Sequence, residues 1–280
     1  MQQEMSNTFV KHDVRVFDKF IDKFANENIE QRSANKSPNP QEILQAAETL
    51  GSGFDLSQIK TIIQRNSVYV DPSREEGRTP SVVRDIYRSD LGELLTTYYF
   101  EEKLGETERF IIPAKNISTR ERYDMPGRGI DAIGYRIKDD GKPELLIAEA
   151  KVSEQKTNPP AVVDATEDSI YKSLKHYHDT PSIIQQRLVE YLKHLPKTDM
   201  LAILCFVIEI QNGGTPNITY GCGLVRDYTC VDESKDFGKM KSNAVEFTPG
   251  NIHFVIFSFT EKTIESTIDL FYERVRELTK

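Results

Sequence analysis

"GIDAIGYRIKDDGKPELLIAEAK", residues 129–151, decides the reading of this chain. The apolar runs on either side of Asp139-Asp140-Gly141 alternate as strands do. A three-residue loop with Gly141 in the left-handed position makes a type I turn with a G1 bulge. Lys138 then faces Lys142, opposed positions sum to 280, and Asp131 stands opposite Glu149. A two-residue loop at Asp140-Gly141 would slip the register by one and send these side chains to opposite faces. Glu149 and Lys151 share one face of their strand, with Ala150 on the other. The odd loop therefore gathers two carboxylates and an ammonium at one end of a hairpin.

Two neighbouring carboxylates repel each other unless a cation joins them. Mg²⁺ suits the set, with Mn²⁺ as a substitute, because it takes oxygen ligands and keeps several waters. Asp131, Glu149 and the Ala150 carbonyl are the candidate ligands. Lys151 is placed to orient or help deprotonate an attacking water, or to stabilise charge on a phosphate. This is the layout of metal-assisted phosphodiester hydrolysis. Glu93, in "DLGELL" on a preceding helix, is a fourth candidate, reaching the metal directly or through water. Its bland alternative is a first-turn acid favoured by the helix dipole. A lone E-x-K is an ordinary strand end; Asp131 in matching register is what makes it a site.

Asp131, Glu149-Ala150-Lys151 and this order of elements resemble the PD-(D/E)xK nuclease superfamily, with Ile130 where a proline is usual. More narrowly, "DLGELL", "AKNISTRERYDMPGRGIDAIGY" and "LLIAEAKV" are similar to the HamA family, effectors of the Hachiman antiphage system. The similarity covers about residues 85–152 well and the C-terminal part more loosely; the segment before about residue 80 carries no matching motif. The resemblance implies a Mg²⁺-dependent deoxyribonuclease that partners HamB, a helicase-like ATPase, and degrades DNA during phage infection. Catalytic roles would fall to Asp131, Glu149, Lys151 and Glu93. Two rivals remain: a stand-alone restriction or repair endonuclease, and a non-catalytic scaffold on a nuclease-like fold.

The chain has 280 residues, 38% hydrophobic and 29% charged, which is globular composition, and a net charge of −8. An acidic protein has no bulk attraction for phosphate, so DNA contact needs a local basic patch, metal ions or a partner. Lys115, Arg120, Arg122 and Arg128, set against Glu121 and Asp124, give 4 − 2 = +2 just before Asp131 and are the candidate DNA-binding residues. Three cysteines without C-x-x-C spacing suggest neither a disulfide framework nor a zinc site. With neither a signal peptide nor a membrane-length apolar run, the expectation is a cytoplasmic protein without membrane contact. His176 and His178 do not share a helix face and suit a helix C-terminus. Lys172 and Lys175 read as a solvent face. The absence of a G-x-S-x-G elbow disfavours a serine hydrolase.

Along the chain, "VRVFDKFIDKFA" predicts a helix, and "PQEILQAAETLG" with "DLSQIKTIIQR" a helical pair. The polar break "DPSREEGRTP" (71–80) marks a boundary between a helical N-terminal region, 1–80, and a nuclease-like domain, 81–280. "SDLGELLTTYYFEEKL" predicts a helix capped by Ser89, and "RFIIPAKNI" a strand. "DATEDSIYKSLKHYH" and "SIIQQRLVEYLKHL" predict helices, and "DMLAILCFVIEI" a strand buried on both faces. "ITYGCGLV" and "NIHFVIFSF" predict strands before a last amphipathic helix. The expected fold is α/β: a restriction-endonuclease-like α/β/α sandwich around a central mixed sheet, preceded by the helical region.

Overall fold

A computed structural model describes residues 7–16, 18–34, 80–119, 129–192 and 195–279. Among them, six strands form one mixed sheet: β1 (Thr8–Val14), β2 (Ile111–Lys115), β3 (Ala132–Ile137), β4 (Pro143–Ser153), β5 (Ile218–Asp227) and β6 (Asn251–Phe259). Their order is β1-β6-β5-β4-β3-β2; β1, β6, β5 and β4 are mutually parallel, β3 is antiparallel to β4, and β2 is antiparallel to β3. Nine α-helices are described: α1 (Asp18–Ala34), α2 (Pro80–Tyr98), α3 (Asn116–Thr119), α4 (Ala161–Asp164), α5 (Ile170–Asp179), α6 (Pro181–Leu192), α7 (Lys197–Gln211), α8 (Gly238–Ser242) and α9 (Ile264–Leu278).

The hairpin takes the predicted register. Pairs run from Ile137↔Pro143 to Ala132↔Ala148, each summing to 280. The Lys138 N–H donates to the Lys142 carbonyl at 2.9 Å, and the Gly141 N–H to the Lys138 carbonyl at 2.8 Å. Gly141 has φ +76°, the left-handed turn position that a Cβ would penalise.

β4 is the centre of the molecule because it is apolar on both faces. Leu146 and Ala148 pack with Leu91, Leu94 and Leu95 of α2 and the α1 and α9 side chains. Leu145 and Ile147 pack with Leu174, Leu188 and Phe206 of α5, α6 and α7. Each such Leu, Ile or Phe is worth about 1.5–3 kcal/mol on burial. The result is the expected α/β sandwich.

Three expectations are corrected. "DMLAILCFVIEI" lies in helix α7, not in a strand. An unbroken apolar run carries no period that separates the two, and α7 buries Ile203 and Phe206 while Leu201 and Ile208 face out. The start of the chain is not all helix: Thr8–Val14 pairs with β6 from Thr8↔His253 to Val14↔Phe259, ahead of α1. This strand is polar because it is the sheet's edge. Ser89 caps nothing; α2 begins at Pro80, and Ser89 sits in its interior. The helical pair between residues 40 and 65 lies outside the described residues, as does nearly all of the polar break that precedes α2.

Candidate active site

Asp131 stands where β3 and β4 part. The ladder ends at Ala132↔Ala148, while β4 runs on along β5 to Ser153↔Arg226. In place of a further strand bond, Asp131 Oδ2 accepts the Ala150 N–H at 2.7 Å. Its Oδ1 lies 3.5 Å from Asn116 Nδ2 at the start of α3. A strand residue's N–H and C=O lie on the same edge, so the Ala150 carbonyl points into the gap that Asp131 occupies.

Glu149 and Lys151 project from the opposite face of β4 to Ala150. Glu149 is buried, its Oε1 lies 3.3 Å from Lys151 Nζ, and its Oε2 has no hydrogen-bond partner among the described residues. Burial lifts its carboxyl to about 7, against the pull of Lys151 and with smaller pushes from Asp168 and Glu93. Lys151 shifts upward too: burial alone would lower it, but the charges of Glu149, Asp168 and Asp131 outweigh that. Both partners rise because burial dominates at the acid and surrounding negative charge dominates at the amine. Lys151 is thus an ammonium at neutral pH, a charge stabiliser and not a base.

Glu93 sits deep inside α2, so the first-turn explanation fails. It is buried and accepts a hydrogen bond from Ser89 Oγ at 3.0 Å. It belongs to the helical layer on the other side of the sheet, yet its charge reaches Glu149. The structure thus brings Asp131, Glu149, Lys151 and Glu93 to one end of β4.

The basic candidates fare differently. Lys115 is turned inward, bonded to Glu101 at 2.8 Å and Glu27 at 3.3 Å, so its charge is satisfied within the protein and not offered to DNA. Arg120, Arg122 and Arg128 lie outside the described residues. His176 and His178 occupy the last turn of α5 as expected, but His178 is not a stabilising cation there. Burial lowers its pKa, and Nδ1 bonds the Tyr220 hydroxyl at 3.0 Å.

The acids form no ready-made cage: among the described residues no three or more His, Cys, Asp or Glu are grouped to hold a metal ion. What the site offers is two carboxylates, Asp131 and Glu149, with the Ala150 carbonyl beside them. That set fits Mg²⁺, which commonly binds one or two carboxylates and completes its shell with water and phosphate. The buried Oε2 of Glu149, with no donor among the described residues, is left open to a cation.

A family model matches residues 11–275 of the chain, and its family is HamA. The chain belongs to the HamA family. No curated protein and no solved structure matches it. HamA membership makes it a component of the Hachiman antiphage defence system and implies a HamB partner. No helix among its described residues is long and apolar enough to cross a membrane.

Four residues around this candidate site in the HamA-family chain carry no signal in the sequence motifs. Tyr177 and Tyr191, buried on α5 and α6, are pushed up in pKa by burial and, more weakly, by the charges of Glu149 and then Asp131 at Tyr177 and of Asp131 at Tyr191. Arg187 of α6 lies against Gly129, whose φ of +100° and missing side chain give it room; a Cβ there would come 3.1–3.3 Å from the guanidinium. Asp168, just before α5, is 2.6 Å from Lys151. They come from residues 168–191, and their arrival at β4 depends on how α5 and α6 pack.

Proposed function

We propose that this protein is a metal-dependent deoxyribonuclease, the DNA-degrading effector of its defence system, held under the control of a helicase partner. One observation carries the reading: Asp131, Glu149 and Lys151 converge where β3 leaves β4, with the Asp131 carboxylate bonded to the backbone between the other two. Asp131, Glu149 and the Ala150 carbonyl would hold Mg²⁺ or Mn²⁺, with Glu93 behind them. The ion, when bound, polarises the phosphodiester and lowers the pKa of a bound water. Lys151, kept protonated by its acidic neighbours, stabilises negative charge on the phosphate. Asp131 is held in orientation by Ala150 and Asn116.

The net charge of −8 fits an enzyme that does not seek DNA unaided. Delivery by HamB would supply the substrate that bulk electrostatics does not, and this restraint protects host DNA.

The test is cleavage of plasmid and linear DNA with Mg²⁺, with and without HamB, comparing wild type with Glu149→Ala/Lys151→Ala. Metal-dependent cutting lost in a folded double variant supports the reading, and dependence on HamB supports the regulatory half. A wild type that never cuts, while still binding HamB, points instead to the scaffold alternative.

A further inference from the structure

Lys151 lies between two acids of opposite character. Glu149 is buried, with Oε1 at 3.3 Å from Nζ. Asp168 is closer, at 2.6 Å, and its side chain is 85% exposed. The nearest partner of the ammonium is therefore the one open to water. Lys151 is also the one polar contact of the Asp168 carboxylate among the described residues.

The backbone makes this contact look built. Asp168 is the one non-glycine among the described residues with positive φ, at 46°. Its neighbour Ser169 caps α5, accepting the Lys172 N–H at 3.2 Å and donating to the Ala165 carbonyl at 2.8 Å. The short loop is thus closed on itself, and the left-handed residue is the one aimed at Lys151. Non-glycine residues in that region are strained, and such strain concentrates where a side chain is held for a purpose.

We propose that the Asp168 carboxylate occupies a phosphate-binding subsite on Lys151, and that a substrate phosphodiester takes its place. This inference rests on the nuclease reading and names the residue that receives the substrate's charge. A phosphodiester oxygen matches a carboxylate oxygen in charge and in accepting from an ammonium. An exposed carboxylate–ammonium pair is weak and screened by salt, so it yields to a competing anion. Asp168 is a gate: it covers the solvent side of Lys151 until phosphate displaces it.

The probe is a short fluorescein-labelled single-stranded oligonucleotide bound to the full-length protein in EDTA at low salt and followed by anisotropy, so that neither metal nor cleavage enters. Asp168→Asn removes the charge while tolerating left-handed backbone, and Asp168→Gly removes the strain as well. Both variants should tighten binding by about two- to five-fold, the range for losing one ion pair open to water. In a Lys151→Gln background neither substitution should change affinity. Unchanged or weaker binding in both variants overturns the inference, and so does an equal gain in the Lys151→Gln background. DNA cleavage with Mg²⁺, measured separately, keeps the two readings apart. A Lys151-dependent gain in binding without cleavage under any condition leaves the phosphate subsite standing and removes the nuclease. Unchanged binding with wild-type cleavage intact removes the gate alone.

Discussion

Asp131 Oδ2 lies 2.7 Å from the backbone nitrogen of Ala150, so a side chain on one strand completes the hydrogen bonding of the next strand where their ladder has ended. The same carboxylate is thereby a structural acceptor and the leading candidate metal ligand. Asp131→Asn separates the two roles. An amide oxygen still accepts the Ala150 N–H, so unfolding free energy should change by no more than about 1 kcal/mol. Metal-dependent cleavage should drop by about two orders of magnitude, because a neutral amide is a poor Mg²⁺ ligand. Urea unfolding beside a plasmid-nicking assay reads both; equal loss of stability and activity would refute the separation.

The buried Glu149 links stability to pH. Its carboxyl titrates near 7 in the folded protein, lifted mainly by burial, against 4.5 ordinarily. Between those values the native state binds more protons than the unfolded chain. The contribution is full below about pH 4.5 and is lost as pH rises through 7. His253 has the opposite sign: burial, then the charge of Arg136, lowers it from 6.5 to about 4. Its contribution is full above 6.5 and lost as pH falls toward 4. Denaturant unfolding of metal-free protein should therefore show two trends. The wild type minus Glu149→Gln difference should fall by up to about 3 kcal/mol from pH 4.5 to 7.5. The wild type minus His253→Gln difference should rise by a similar amount between pH 4 and 6.5. Flat differences would mean that neither group is shifted.

Arg187 has a guanidinium against Gly129 and bonds Glu190 at 2.7 Å through one nitrogen. If it meets the DNA backbone near the scissile bond, Arg187→Ala should lower affinity uniformly across sequences. The slope of log K against log salt should shrink by about one. Fluorescence anisotropy over a salt series measures this, and an unchanged slope would remove Arg187 from the interface.

The loop after β4 is held by a buried cation. Arg226 donates to the carbonyls of Gln155 at 2.6 Å and Cys230 at 2.7 Å and to Asn158 Oδ1 at 2.7 Å, with Asp236 3.5 Å away. Arg226→Met strips these acceptors and isolates a buried carboxylate, so it should cost about 3–5 kcal/mol. Adding Asp236→Leu should recover part of that loss. A double variant no more stable than Arg226→Met would show that the carbonyls, and not the ion pair, carry the energy.

Much of the site was legible because its logic is local. The turn chemistry of Asp139-Asp140-Gly141 sets an odd loop, the loop sets the register, and a period of two sets which side chains share a face. Each step spans a few residues and needs no neighbour. Where local information was degenerate, the reading failed. The run "LAILCFVI" satisfies a buried strand and a helix equally, and α7 was settled by the face it presents to Leu174 and Leu188. Thr8–Val14 is too polar to announce a strand and becomes one by pairing with β6.

By itself, the sequence determined the hairpin, its register, the shared face of Glu149 and Lys151, and the family motif around them. Tertiary structure alone decided that Lys115 spends its charge on Glu27 and Glu101, and that Glu93 reaches the site from deep inside a helix. It also decided that Arg187 and Asp168 stand at the same end of β4. The physical reason is range. Dihedral preferences and alternation act between chain neighbours, whereas burial and Coulomb interactions act between groups that only packing brings together.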